Sequence, residues 1–212
     1  ISEELALVAQ TVRTFLKTSG FEPWDVRAHT GFWRHLVLRE TQLGERLVAF
    51  YTAEPPEGAD AEMRLLASQL PGVSGVLWYV NPRTGDAAIG DLREVLVGKD
   101  WIEERLGERS YKLSATAFFQ TNSLAAEVLY DRIREAAGGG KRLLDLYCGV
   151  GSIGLHLADD FEEIVGVELN EMAIEDARMN AQRNGVENTR YIAGPVREVA
   201  GDLNADVIVV DP

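Results

Sequence analysis

The stretch from Leu143 to Gly154 limits what this chain can fold into more than any other. Leu143-Leu144-Asp145-Leu146 is an apolar run of strand type that leads directly into Tyr147-Cys148-Gly149-Val150-Gly151-Ser152-Ile153-Gly154. A buried strand, a turn with glycines two residues apart and a helix start make a βα unit whose turn lets backbone approach a ligand closely. The same grammar continues downstream. Ser152–Ala158 reads as a helix, Ile164–Val167 as a strand, Glu171–Arg183 as a helix closed by Asn184-Gly185, and Tyr191-Ile192 and Asp206–Val210 as further strands. Strands alternating with helices imply a parallel sheet with its ligand at the carboxyl ends of the strands.

The chain ahead of this region is patterned differently. Leu5, Val8, Val12, Phe15 and Leu16 fall at helical spacing over residues 3–18. Phe32–Leu38 and Arg46–Tyr51 read as a hairpin, Ala61–Leu70 as a helix ended by Pro71-Gly72, and Val73–Val80 with Ala87–Ile89 as a second hairpin. Short strands are expected at Val95–Val97 and Tyr111–Leu113, and a helix at residues 123–137. Two domains follow: an α+β unit over 1–115 and an α/β unit over 116–212.

Composition narrows the function classes. The 212 residues are 46% hydrophobic and 26% charged, the balance of a folded chain rather than a disordered or collagen-like one. Apolar runs such as Val207–Val210 fall far short of the ~20 residues of a membrane helix. Ile1-Ser2-Glu3-Glu4 has neither the cationic nor the apolar part of a secretion leader, so a cytoplasmic setting without membrane attachment is expected. Cys148 is the one cysteine, which leaves no internal disulfide and no cysteine cage for a metal cluster. Lys plus Arg is 21 against 34 for Asp plus Glu, a net charge of -13. Such acidity argues against broad nucleic-acid affinity, which comes mainly from Lys and Arg displacing counterions. The sequence does not begin with Met and stops at Asp211-Pro212 just after an apolar strand, so it reads as a piece of a longer protein.

Gly149-Val150-Gly151-Ser152-Ile153-Gly154 fits G-x-G-x-x-G, and Glu168 stands at the end of the next apolar run, placed to accept both hydroxyls of an adenosine ribose. Asp145 discriminates among adenosine cofactors. A carboxylate at the strand end would repel a dinucleotide pyrophosphate, whereas it suits the sulfonium and ammonium of S-adenosylmethionine. Gly138-Gly139-Gly140-Lys141 is not a phosphate loop, since Arg142 stands where Ser or Thr should follow the lysine.

With these residues in view, the chain resembles the S-adenosylmethionine-dependent RNA 5-methyluridine methyltransferases, the uracil-5 enzymes of bacterial rRNA and tRNA. The likeness runs through His29-Thr30-Gly31, Arg34-His35-Leu36-Val37-Leu38-Arg39, Asn81-Pro82, Gly90-Asp91, Ile102-Glu103-Glu104 and Phe118-Phe119-Gln120-Thr121-Asn122. It continues through Leu144–Gly151, Gly166-Val167-Glu168, Asn180-Ala181, Asn184-Gly185 and Asp211-Pro212. The resemblance implies a Rossmann-like class I methyltransferase domain preceded by the smaller α+β domain. It implies that Gln120, Tyr147, Glu168 and Asp211 line the cofactor site beside Asp145, with Gly149, Gly151 and Ser152 shaping its loop. Two positions depart from the pattern. Ser152 stands where the family often has Asn, with fewer donors, and Pro195 where members usually carry Asp or Asn near the adenine.

The chemistry implied by the resemblance is covalent: a cysteine thiolate adds to C6 of uracil, C5 attacks the sulfonium methyl, and a carboxylate base removes the C5 proton. In the family both residues lie beyond the Asp-Pro segment, so they are expected outside this sequence. Cys148, in the cofactor loop, reads as a packing residue. The expectation is a chain that binds S-adenosylmethionine, or its demethylated product, without methylating RNA by itself. RNA, ribosomal or transfer, is the expected partner of the whole protein; Arg34, His35 and Arg39 are candidate contacts, and no metal is expected. Other readings stay open: a methyltransferase of small molecules or proteins, a non-catalytic cofactor-binding module, and a dinucleotide binder.

Overall fold

All four strands of the later sheet are parallel, and the strand that carries Asp145 lies inside it. The structure, a computed structural model, describes residues 1–199, 201 and 203–212. It runs α1 (Glu3–Leu16), β1 (Trp33–Glu40), β2 (Arg46–Thr52), α2 (Ala59–Ser68), β3 (Gly75–Val80), β4 (Asp91–Gly98), β5 (Trp101–Leu106), β6 (Arg109–Ser114) and α3 (Ser123–Ala137). It continues through β7 (Gly140–Leu146), α4 (Ser152–His156), β8 (Phe161–Glu168), α5 (Glu171–Arg183), β9 (Thr189–Ala193), α6 (Val196–Val199) and β10 (Val207–Val210). The chain divides into two compact units, Ile1–Ile102 and Glu103–Pro212.

The first unit is a four-stranded sheet in the order β1-β2-β3-β4. Helix α1 starts where Ser2 caps it, the hydroxyl oxygen accepting from Leu5 N at 3.0 Å. Val8 and Val12 of α1 and Met63 and Leu66 of α2 pack with Val48, Phe50, Val76 and Trp78 in one core. The hairpin expected over Phe32–Leu38 and Arg46–Tyr51 forms as antiparallel β1 and β2, and β3 then joins β2 in parallel through the α2 connection. The antiparallel partner of β3 is β4, not residues 87–89. Segment 81–90 is instead held as a loop. Asn81 Nδ2 donates to the carbonyl of Ala87 at 3.1 Å, and the Arg34 guanidinium donates to the carbonyls of Asn81, Arg83 and Gly85 while lying over the Trp24 ring.

The second unit has the sheet order β10-β7-β8-β9. Chain order runs outward from β7 to β8 to β9 and then returns to the other side of β7, so the sheet has a topological switch point between β7 and β10. Leu144, Leu146, Val165 and Val167 form a core on these strands, with Ile192, Val196 and Val199 packed against it.

The two compact units meet at residues 102/103, and a clasp between β6 and α5 holds β6 in the second unit. Ser110 N donates to Asn184 Oδ1 at 2.9 Å, Lys112 N to Asn180 Oδ1 at 2.7 Å, and Ser114 Oγ to Asp176 Oδ2 at 2.8 Å. Four residues of helix advance about 6.0 Å and two residues of strand about 6.6 Å. Side chains at 176, 180 and 184 therefore meet alternate residues of an oppositely directed strand. That match ties the β5–β6 ribbon to the second unit.

Gly166, in the middle of β8, is required by space. A Cβ there would stand 2.6 Å from Tyr191 Cδ1 and 2.8 Å from Cys148 Sγ, whereas one at Gly85 meets nothing within 4 Å. Gly166→Ala is expected to destabilise the chain by about 1–3 kcal/mol in urea denaturation, and Gly85→Ala by less than about 0.5 kcal/mol.

Candidate functional site

The switch point brings most of the sequence-selected residues to the carboxyl ends of β7 and β8. Asp145, next to last in β7, is 1% exposed. Its Oδ2 accepts the N–H of Gly154 at 2.9 Å, which fixes the first turn of α4 to the strand. Its Oδ1 is buried with no hydrogen-bond partner among the described residues. An unpaired buried carboxylate oxygen is costly and is rarely left without a role.

The turn between β7 and α4 is wound left-handed at three of five positions: Tyr147 (φ 65°), Gly149 (φ 53°) and Gly151 (φ 78°). For the tyrosine this conformation costs on the order of 1 kcal/mol or more, and such strain collects at functional sites. It is held by hydrogen bonds from Tyr147 N and Cys148 N to the carbonyl of Val167 at 2.8 and 3.1 Å. The Tyr147 side chain projects outward, 45% exposed. At Gly151 a Cβ would stand 2.7 Å from the Tyr191 hydroxyl, and at Gly154 one would stand 3.1 Å from Asp145 Oδ2, so both glycines are fixed by close approach.

Glu168, at the end of β8, is half-buried and tied to the turn. Its Oε2 accepts from Gly149 N at 3.2 Å and its Oε1 from Asn170 N at 2.9 Å. Asp211 follows β10, the strand beside β7. Gln120 is half-buried in the segment before α3, two residues beyond Phe118, whose carbonyl lies 4.0 Å from where a Gly149 Cβ would stand. Pro195 follows Gly194, whose N–H donates to the carbonyl of Glu168 at 2.9 Å.

Charge is concentrated here. Burial pushes the Asp145 carboxyl up to about 7 against the lowering pull of the Gly154 N–H, and Asp211 and Glu168 add to the rise. The Cys148 thiol is pushed up by burial and then by the same carboxylates Asp145 and Glu168. It is therefore a protonated packing group at neutral pH, not a nucleophile. The sequence gives no site role to Tyr130, Asn180 or Tyr191, although Asn180 stands among the residues that carry the resemblance and Tyr191 in an expected strand. Asn180 Nδ2 donates to the Val150 carbonyl at 3.2 Å, and Tyr191 fills the space under Gly151. All three look like core or helix-surface residues in sequence, and only the fold brings them under the turn. The guanidinium of Arg34, a candidate RNA contact, donates to the loop carbonyls of Asn81, Arg83 and Gly85.

A parallel sheet with a glycine turn and an acidic residue at the end of its second strand defines the adenosyl-cofactor class of α/β fold. The sequence pattern of the tRNA (uracil-5-)-methyltransferase family matches residues 88–206, and the chain belongs to that family. An uncharacterized RNA methyltransferase of Clostridium acetobutylicum is 33% identical over 220 residues, covering 100% of this chain and 48% of the relative. One of Bacillus cereus is 37% identical over 212 residues, covering 96% of this chain and 46% of the relative. The solved structure of Pyrococcus abyssi tRNA (uracil-54, C5)-methyltransferase in complex with S-adenosyl-L-homocysteine matches with TM-score 0.79 and 32% identity, over 96% of this chain and 49% of that one. The M. jannaschii tRNA m1G37 methyltransferase shares the fold at TM-score 0.57 and 17% identity, over 99% of this chain and 57% of that one. The chain spans about half the length of the curated relatives it matches.

The raised Asp145 carboxyl gives a pH test. Its folded value lies above the unfolded one, so its contribution to stability is full below about 4 and is lost as pH rises to about 7. Between pH 5.5 and 8 the wild type should lose about 2 kcal/mol relative to Asp145→Asn in parallel urea titrations. Equal pH slopes for the two proteins would contradict the raised value.

Proposed function

We propose that this chain is the cofactor-holding part of an RNA methyltransferase that transfers a methyl group from S-adenosylmethionine to C5 of a uridine in rRNA or tRNA. The observation that carries the reading is the buried, unpartnered Asp145 Oδ1 beside two further carboxylates, Glu168 and Asp211. Such a ring of negative charge disfavours a pyrophosphate and suits a cationic ligand. The residues present therefore fit S-adenosylmethionine, which when bound supplies an electrophilic methyl on a sulfonium.

The roles assigned are these. Glu168, fixed by the Gly149 N–H, accepts the ribose hydroxyls. Asp145 Oδ1 takes up positive charge from the donor's amino-acid end, Tyr147 and Gln120 flank the cofactor, and Asp211 closes the site from the β10 side. Gly149, Gly151 and Ser152 shape the turn that the ligand approaches. Residues 116–212 then form the cofactor domain and residues 1–115 the central domain, with the β5–β6 ribbon clasped by α5. The reading implies a cytoplasmic enzyme.

C5 of uracil becomes nucleophilic only after a thiolate adds at C6. Cys148 is the one cysteine here and its buried thiol stays protonated. Methyl transfer by that route is not open to these residues alone.

Calorimetric titration of the chain with S-adenosylhomocysteine is expected to show saturable binding, weakened at least about tenfold in Glu168→Ala through loss of a charge-assisted contact, with NADH silent. Incubation with S-adenosylmethionine and uridine-containing RNA is expected to yield no 5-methyluridine. Binding of NADH in place of S-adenosylhomocysteine, or methylated RNA from this chain alone, would contradict the reading.

A further inference from the structure

Two consecutive residues of α3 reach two residues of α4 that are four apart. Tyr130 OH lies 2.9 Å from Ser152 Oγ, and Asp131 Oδ1 lies 2.8 Å from His156 Nε2. A four-residue step returns to the same helix face, so α4 presents one edge to α3 and is held at its first and last residues. A second phenol, Tyr111 of β6, donates to the carbonyl of Ser152 at 3.3 Å. Ser152 is thereby gripped through both its side chain and its backbone by two tyrosines that are 2% and 0% exposed.

This grip matters because α4 has no side-chain cap of its own. Gly151 precedes it in a left-handed conformation and makes no capping bond. The helix start is fixed by Asp145 from the strand and by the two phenols from the sides. Tyr130 also faces the charged end of the site. Burial raises its phenol, the Ser152 bond pulls the other way, and the carboxylates of Asp145 and Asp211 raise it again. The phenol therefore keeps its proton at neutral pH.

The Tyr130–Ser152 pair has two hydroxyl protons and one mutual hydrogen bond, which leaves one proton free to donate. Serine alone offers a short side chain with one rotatable donor. Bonded to a buried phenol, that donor is fixed in direction and strengthened through the chain of hydrogen bonds.

We propose that Tyr130 is a positioning residue for the cofactor: through its hydroxyl it orients Ser152, so that the pair presents a fixed O–H donor at the glycine turn to a polar group of the adenosyl ligand. The inference rests on the reading of that turn as the cofactor site. Tyr130 touches no ligand in this account and acts through Ser152.

The test uses the 212-residue chain with S-adenosylhomocysteine as the probe, followed by calorimetry, with thermal unfolding of every variant measured without ligand. If wild type does not bind the probe, the cofactor reading itself fails. If wild type binds, Tyr130→Phe is expected to weaken affinity about fivefold, the effect of one lost hydrogen bond. Ser152→Ala is expected to weaken it at least as much, and the double variant no further than Ser152→Ala alone, because the phenol has then nothing left to orient. Ser152→Asn in the Tyr130→Phe background is expected to restore affinity, since an amide brings its own N–H donors and the missing phenol oxygen leaves room for it. A merely structural tyrosine would give a different pattern: a lower melting temperature with unchanged affinity in Tyr130→Phe, effects that simply add in the double variant, or no rescue by asparagine. Any one of these overturns the proposal.

Discussion

The N–H of Gly154 bound to Asp145 Oδ2 is the contact on which the rest of the site depends. It joins the carboxyl end of β7 to the first turn of α4 across a loop wound left-handed at three positions. A strand-end carboxylate thus stands in for the missing helix cap and anchors the turn from below. Burying that carboxylate between two others is unfavourable, and its raised proton affinity is the sign of the cost. The second oxygen, left without a partner, marks where a positively charged group would relieve it.

Around this contact the second unit is assembled by polar matches of period rather than by apolar burial alone. The clasp of α5 on β6 works because one face of a helix and one face of a strand advance by nearly the same distance. Asn180 belongs to the clasp and also holds the Val150 carbonyl of the glycine turn at 3.2 Å. The fully buried Asn180 amide therefore connects the ribbon to the turn, beside the Tyr111 bond to the Ser152 carbonyl, and each such buried bond is worth about 1 kcal/mol when made and more when broken on one side.

What the sequence displays and what it hides follow from distance along the chain. Strand, glycine turn and helix are contiguous between residues 140 and 156, so the βα unit, Asp145 and the left-handed glycines can be read directly, and Glu168 follows from the next strand end. The local pattern that suggests a division at 115 carries no sign of the bonds that tie the β5–β6 ribbon to the second unit, because they come from residues 176–184, more than sixty positions away. Residues 87–89 resemble a strand by composition, yet they lie in a loop that Asn81 holds through the Ala87 carbonyl and Arg34 through the carbonyls of Asn81, Arg83 and Gly85, and β4 takes the pairing. Tyr130 lies on the buried face of α3 with Ser123 and Ala126 and looks like one more core aromatic; nothing in its own neighbourhood shows that its hydroxyl ends on Ser152.

A crystal structure of the chain grown with S-adenosylhomocysteine tests the place of the adenosyl ligand most directly. The predicted result is a ribose whose hydroxyls meet the Glu168 carboxylate, an amino-acid end within hydrogen-bond reach of Asp145 Oδ1, and an adenine on the side of Pro195. A ligand bound elsewhere, with Asp145 Oδ1 still unpartnered, would contradict it.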